Sequence, residues 1–160
     1  MTDFDLAQFL PYRLAVLAER VSRRLSVEYE SVHGLSVAEW RVLVHLSRFD
    51  SVSVRDIQVF VNLEKSRVSR AVARLSGIGL VRKLPGTDDA RLVEISLTPK
   101  GAAALDQILP RALAVQEALL QGIAPEDLST FSRVMEQIHA VLDADPDARP
   151  RPMPDGLTNS

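Results

Sequence analysis

The 160-residue chain contains no cysteine. Disulfide bonds, thiolate metal sites, cysteine nucleophiles and thiol redox sensing are therefore excluded. Histidine is scarce. His33, His45 and His139 are scattered, and none stands at metal-ligand spacing from another histidine or a carboxylate. Each is read as structural. A Gly-rich phosphate loop and a nucleophile elbow are both missing, so no catalytic set emerges. No enzyme, cofactor or metal site is expected. No stretch approaches the roughly 18 consecutive apolar residues of a membrane span. The first residues, "MTDFDLAQFL", begin acidic, unlike the basic start of a signal peptide. These absences predict a soluble, cytoplasmic protein. An excess of positive charge is missing too: 19 Lys and Arg stand against 21 Asp and Glu, a net charge of −2. A global nucleic-acid signature is thus absent, and local charge decides.

What is present is ordinary globular composition, 46% hydrophobic and 25% charged, at a length that suits one domain with a real core. The charge is unevenly placed. Between Asn62 and Gly101 there are eight Lys and Arg (Lys65, Arg67, Arg70, Arg74, Arg82, Lys83, Arg91, Lys100) against four acids (Glu64, Asp88, Asp89, Glu94), a local net of +4. The remainder of the chain therefore carries −6. A basic module inside an acidic frame points to a nucleic-acid partner.

The periodicity gives the order of elements. From Asp5 to about Val32 apolar residues recur every three or four positions, without glycine, which predicts a long helix. Pro11 falls in its first turns, where the missing N–H matters least. Gly34 ends it. "SVAE" at Ser36–Glu39 is a capping box, and a helix through "WRVLVHLSRF" follows. "SVRD" at Ser53–Asp56 repeats the start signal for a short helix ending near Asn62. A third start near Glu64 opens "KSRVSRAVARLSGIG", with Gly77 and Gly79 at its end. "LVRKLP" and "RLVEISL" then read as two strands around the turn "GTDDA". Thr98 caps a further helix with Pro99 at its first position, and Pro110 inside it predicts a kink. After Gly122 a last helix runs to about Asp145. Four of the nine prolines crowd into the final fifteen residues, which are expected to be disordered. The fold class is mainly α with a small β-hairpin: a winged helix-turn-helix flanked by long helices.

On a helical wheel Val68, Ala71, Val72 and Leu75 form a buried stripe. Lys65, Ser66, Arg67, Ser69, Arg70 and Arg74 lie off it. Arginine grips guanine with two hydrogen bonds, serine donates to phosphates or base edges, and a helix N-terminus favours phosphate. A solvated basic face is the plain alternative, but a capped short helix before it and a wing after it favour DNA. At the turn, Arg91 suits a minor groove and Asp89 suits orienting its guanidinium.

"LSVAEWRVLVHL", "VSRAVARLSGIGLVRK", "DDAR" and "ISLTPKG", in that order, resemble the multiple-antibiotic-resistance regulator (MarR) family of bacterial transcription factors, over roughly Leu10 to Leu142. The resemblance implies a homodimeric, ligand-responsive repressor on a pseudo-palindromic operator. Residues 1–34 and 99–145 would supply dimerisation helices, residues 35–98 the DNA-binding module, and residues 146–160 a tail. The recognition helix maps to about Glu64–Gly77 and the wing arginine to Arg91, supported by Asp89. Two positions depart from the family pattern: Glu64, where a small polar residue is common, and Ala90, where the wing often has arginine. The resemblance further implies a small-molecule effector, an aromatic or phenolic acid or its thioester. Its pocket would lie between the dimer helices and the winged module, with Tyr12, Arg13, His33 and Trp40 as candidates. The alternative function is a dimeric small-molecule-binding or interaction protein without DNA binding.

Overall fold

The computed structural model describes residues 4–61, 63–85 and 93–151. Helix α1 spans Leu10–His33, α2 Val37–Leu46, α3 Val54–Phe60, α4 Lys65–Gly77, α5 Pro99–Leu120 and α6 Pro125–Asp143. The strands are β1 Val52–Ser53, β2 Val81–Pro85 and β3 Val93–Leu97.

Helix α1 starts later than the periodicity predicts. Leu6 to Gln8 form a turn in which Asp5 accepts from the Ala7 amide at 2.8 Å, and Pro11 then sits in the first turn of the helix. Its far end is closed by Gly34, left-handed at φ 61°, whose N–H reaches back to the Glu30 carbonyl. Glycine takes that conformation without the steric penalty of a side chain. The capping box at α2 forms as its sequence requires. The Glu39 amide donates to Ser36 Oγ at 3.3 Å, and Glu39 Oε2 accepts from the Ser36 amide at 2.8 Å. At α3, Ser53 accepts from the Asp56 amide, but its hydroxyl also donates to the Asp56 carboxylate at 2.7 Å. The shorter aspartate thus engages the cap side chain instead of the cap amide. Helix α5 continues on both sides of Pro110.

The wing contains one strand more than the sequence suggests. The sheet is antiparallel in the order β1-β3-β2, with Val52 opposite Ile95 and Val81 opposite Leu97. β1 adds two residues, too few for an alternation to be read, and its Ser53 carries the α3 cap signal. The turn "GTDDA" lies outside the described residues.

One core joins the winged module to the lower part of the long helices. Leu35, Leu43, Ile57, Leu75, Ile95 and Ile108 are fully buried within it. Helix α5 enters by a close approach: Gly101 lies against the Leu80 carbonyl at the head of β2, leaving no room for a side chain. Helix α6 contains no buried residue. Beyond it, within the segment expected to be disordered, Arg151 forms two hydrogen bonds with Glu136 at 2.8 and 2.6 Å. These hold the Glu136 carboxyl below its ordinary range. No helix among the described residues is long and apolar enough to cross a membrane.

Candidate nucleic-acid interface

Helix α4 has two chemically distinct faces. Val68, Ala71, Val72 and Leu75 are buried, the same four residues that the periodicity selects. Fully burying Val68, Val72 and Leu75 contributes about 1.5–3 kcal/mol each, so the helix cannot roll without large loss. That rotation fixes Lys65, Ser66, Arg67, Ser69 and Arg70 on the exposed side. The Lys65 and Arg67 side chains make no hydrogen bond or ion pair among the described residues. The Arg70 Nε donates to the Ser66 carbonyl at 3.3 Å, which lays its side chain back along the helix.

Three of the seven described cations of the basic module are bonded to other elements of the fold. Arg74 Nη1 donates to Glu39 Oε2 at 2.6 Å, and its Nη2 to the His33 carbonyl at 3.4 Å. Arg82 Nε donates to the hydroxyl of buried Ser96 at 2.9 Å, across the β2–β3 pair. Lys100 Nζ donates to the Ile78 carbonyl at 2.8 Å, just past the end of α4. These side chains brace α4 and the wing. Lys65, Arg67, Arg70 and Lys83 remain as exposed cations of the described module. Arg91, Asp89 and Ala90 lie outside the described residues.

Glu64 caps α4 without a side-chain hydrogen bond; its carbonyl accepts from the Arg67 and Val68 amides. Its carboxylate is exposed and lies 3.8 Å from Arg149 Nη2. An exposed pair at that separation contributes little. The acid therefore stands at the head of the basic helix.

A second feature lies between α1, α2 and α6. A largely apolar cavity of about 650 Å³ is lined by Leu17, Val21, Tyr29, Trp40, Arg41 and His139, among others. Tyr29 and Trp40 stack, with ring centroids 5.6 Å apart and planes 12° from parallel. Burial, then the Glu30 charge, raises the Tyr29 phenol above its ordinary pKa, against the lowering effects of Arg41 and the Ser26 hydroxyl. Arg41 Nη1 donates to the Val61 carbonyl at the end of α3 at 3.2 Å, so one side chain touches both the cavity and the helix-turn-helix. Of the four ligand candidates named from the sequence, Trp40 lines this space. Tyr12, Arg13 and His33 do not; Tyr12 and Arg13 are exposed on the first turn of α1, and His33 sits at its last residue. Tyr29, Arg41 and His139 escape sequence reasoning. Their one shared signal is helical spacing toward Trp40 or the α6 stripe, which also fits plain core packing.

Comparison with known proteins agrees on one fold. A family model described as the MarR family matches residues 33–92. A helix-turn-helix transcriptional regulator from Bacillus cereus is 28% identical over 141 residues, covering 87% of this chain and 92% of that protein. A crystal structure of a MarR-family transcriptional regulator from Silicibacter pomeroyi is 28% identical with a TM-score of 0.72, covering 91% of this chain and 98% of that one. A MarR-family regulator from Streptomyces coelicolor, solved in complex with DNA, superposes with a TM-score of 0.77 at 21% identity, covering 91% and 92%.

Proposed function

We propose that this chain, a transcriptional regulator of the MarR family, represses by binding a pseudo-palindromic operator as a homodimer and lets go when a small acid binds. One observation carries the DNA-binding part: the apolar stripe of α4 is buried, and the opposite face offers Lys65, Ser66, Arg67, Ser69 and Arg70 outward. The two recognition helices would enter successive major grooves about 34 Å apart. Arg91, with Asp89 beside it in sequence, would read the adjacent minor groove from the wing.

The homodimer is supported by apolar surface left uncovered on the long helices. Leu10, Leu17, Leu113, Phe131 and Val141 are all exposed, although each falls on an amphipathic helix. Large apolar side chains left this exposed on three helices call for a partner. A second copy of the same helices supplies one by two-fold symmetry.

The effector is an aromatic or phenolic acid, or its thioester, in the cavity between α1, α2 and α6. Tyr29 and Trp40 offer ring faces, while Arg41 and His139 offer donors for a carboxylate. An anion held by Arg41 competes with the Val61 carbonyl for the same guanidinium. Such a ligand favours a different α2–α3 arrangement and a different spacing of the two recognition helices. It lowers operator affinity by its differential binding to the two states. A cytoplasmic location fits this role.

A mobility-shift assay with the DNA upstream of the protein's own gene tests the proposal. With Lys65, Arg67, Arg70 and Lys83 of each subunit each neutralising one phosphate, the log–log salt slope for the dimer is expected near −7, from about 0.9 per phosphate. A specific shift with that slope supports the reading. No specific shift, or a slope near zero, refutes it and favours a dimeric adaptor.

A further inference from the structure

Arg74 lies on the recognition helix and belongs by charge to the DNA-facing set, yet its guanidinium points elsewhere. It spans from α4 to the junction of α1 and α2. One nitrogen meets Glu39 Oε2 at 2.6 Å, and the other meets the His33 carbonyl, in the last turn of α1, at 3.4 Å. Glu39 is the more buried partner: its side chain is 6% exposed, against 44% for Arg74. The same Oε2 also receives the Ser36 amide, so the carboxylate is held by the α2 cap while it holds α4. Gly34, which turns the chain between α1 and α2, lies alongside; a Cβ there would stand 3.8 Å from Arg74 Nη2.

We propose that Arg74 is a positioning residue: it sets the recognition helix against the α1–α2 junction through Glu39, and it does not contact DNA. Charge alone cannot make this distinction, because a phosphate contact and an internal brace use the same side chain. Geometry does. Two of the five guanidinium N–H donors are committed to a carboxylate and to a helix-terminal carbonyl, both fixed by their own backbone turns, and these contacts hold the guanidinium at the α1–α2 junction. The stacked pair Tyr29–Trp40 lies on the same two helices, Trp40 next to Glu39 and Tyr29 one turn before His33. A shift of α1 against α2 at the cavity therefore reaches α4 through this contact. The inference rests on the DNA-binding reading above, and its test separates the two.

The test uses the full-length protein and the upstream DNA fragment, with affinity measured across a salt series. Wild type must shift the DNA; if it does not, the DNA-binding reading itself fails. Given a wild-type shift, Arg74→Ala is expected to weaken binding about tenfold while leaving the salt slope unchanged. A direct phosphate contact predicts instead that the dimer's slope becomes shallower by about 2. Arg74→Lys keeps the charge but cannot fork between Glu39 and the His33 carbonyl. It is expected to bind nearly as weakly as the alanine variant, whereas a phosphate contact predicts near-wild-type binding. Glu39→Gln keeps an acceptor for the Ser36 amide and removes the charge. It is expected to weaken binding in the same direction, and Arg74→Ala added to it costs at most twofold more. Tighter DNA binding by Glu39→Gln would mean that freed Arg74 reaches phosphate, and would overturn the inference. Should Arg74→Ala not fold, the lysine and glutamine variants decide the matter alone.

Discussion

Replacing Gly101 with alanine tests how the wing is joined to the long helix. Gly101 is the third residue of α5, and its amide donates to the Thr98 hydroxyl at 3.0 Å. A Cβ at this position would lie 2.1 Å from the Leu80 carbonyl oxygen, 3.0 Å from its carbon and 3.1 Å from Leu97 Cδ2. A carbon and a carbonyl oxygen ordinarily approach to about 3.3 Å, so the backbone must open by about 1 Å. The Leu80 oxygen cannot simply retreat, because it accepts from the Thr98 amide at 3.1 Å, and the Thr98 hydroxyl ties the adjacent Gly79 carbonyl at 2.7 Å. Overpacking of this kind costs about 1–3 kcal/mol or more, while alanine over glycine inside a helix returns up to about 1 kcal/mol. The net loss is expected near 2 kcal/mol, which lowers the melting temperature of a chain this long by roughly 4–8 °C. Thermal unfolding followed by circular dichroism, at one fixed protein concentration, measures it. Gly77→Ala is the control, since a Cβ there meets nothing within 4 Å. That variant should match or exceed the wild type. A Gly101→Ala protein melting at or above wild type would refute the close approach of β2 and α5.

Other outcomes follow from single side chains. In a Tyr12→Phe protein the one remaining tyrosine, Tyr29, should ionise above 10.0, seen as late growth of tyrosinate absorbance. Its folded pKa is raised, so the stability it confers is complete below 10.0 and is lost as the pH climbs from there through the folded value. Ionisation at or below 10.0 would contradict the burial of the phenol. Glu64→Ser should stabilise α4 by about 0.5–1 kcal/mol through a new N-cap bond. The same change should tighten operator binding by removing an exposed acid at the head of the basic helix; weaker binding would show that Glu64 makes a favourable contact with DNA. Arg41→Ala removes the Val61 contact and should weaken the basal mobility shift, and salicylate, used as the aromatic-acid probe, should weaken it no further. An undiminished salicylate response would remove Arg41 from the effector site.

Features governed by neighbours in sequence were legible, and features made by distant pairs were not. The buried stripe of α4 follows from a spacing of three and four, and the Ser36–Glu39 cap from residues three apart. The helix order and the β2–β3 pair are readable for the same reason. The work of the cations is different. The partners of Arg74, Arg82 and Lys100 lie 35, 14 and 22 residues away, on other elements. Nothing in a linear charge count separates these braces from Lys65 or Arg67. The cavity is harder still, because α1, α2 and α6 meet only in the folded chain. Tyr12, Arg13 and His33 are polar or aromatic and close in sequence to the expected site. Tyr29, Arg41 and His139 are the residues that the helices bring to it.

Removing the braces from the charge count also changes what the DNA surface can do. Each subunit is left with few outward cations in the described module, within a chain whose remainder carries −6. The acidic frame opposes docking by any other face. On the proposed operator a single half-site would then bind weakly, and most of the affinity would come from engaging two half-sites at once. The second contact is an intramolecular event, and its gain vanishes when geometry forbids it. A strongly basic module would tolerate a misplaced partner, because each half would hold on its own. A sparse one cannot. On the proposed mechanism, a small ligand-driven change in the spacing of the recognition helices would therefore be enough to release DNA. The clamp at Arg74 matters in proportion, because it fixes the angle at which α4 meets the helices that set this spacing.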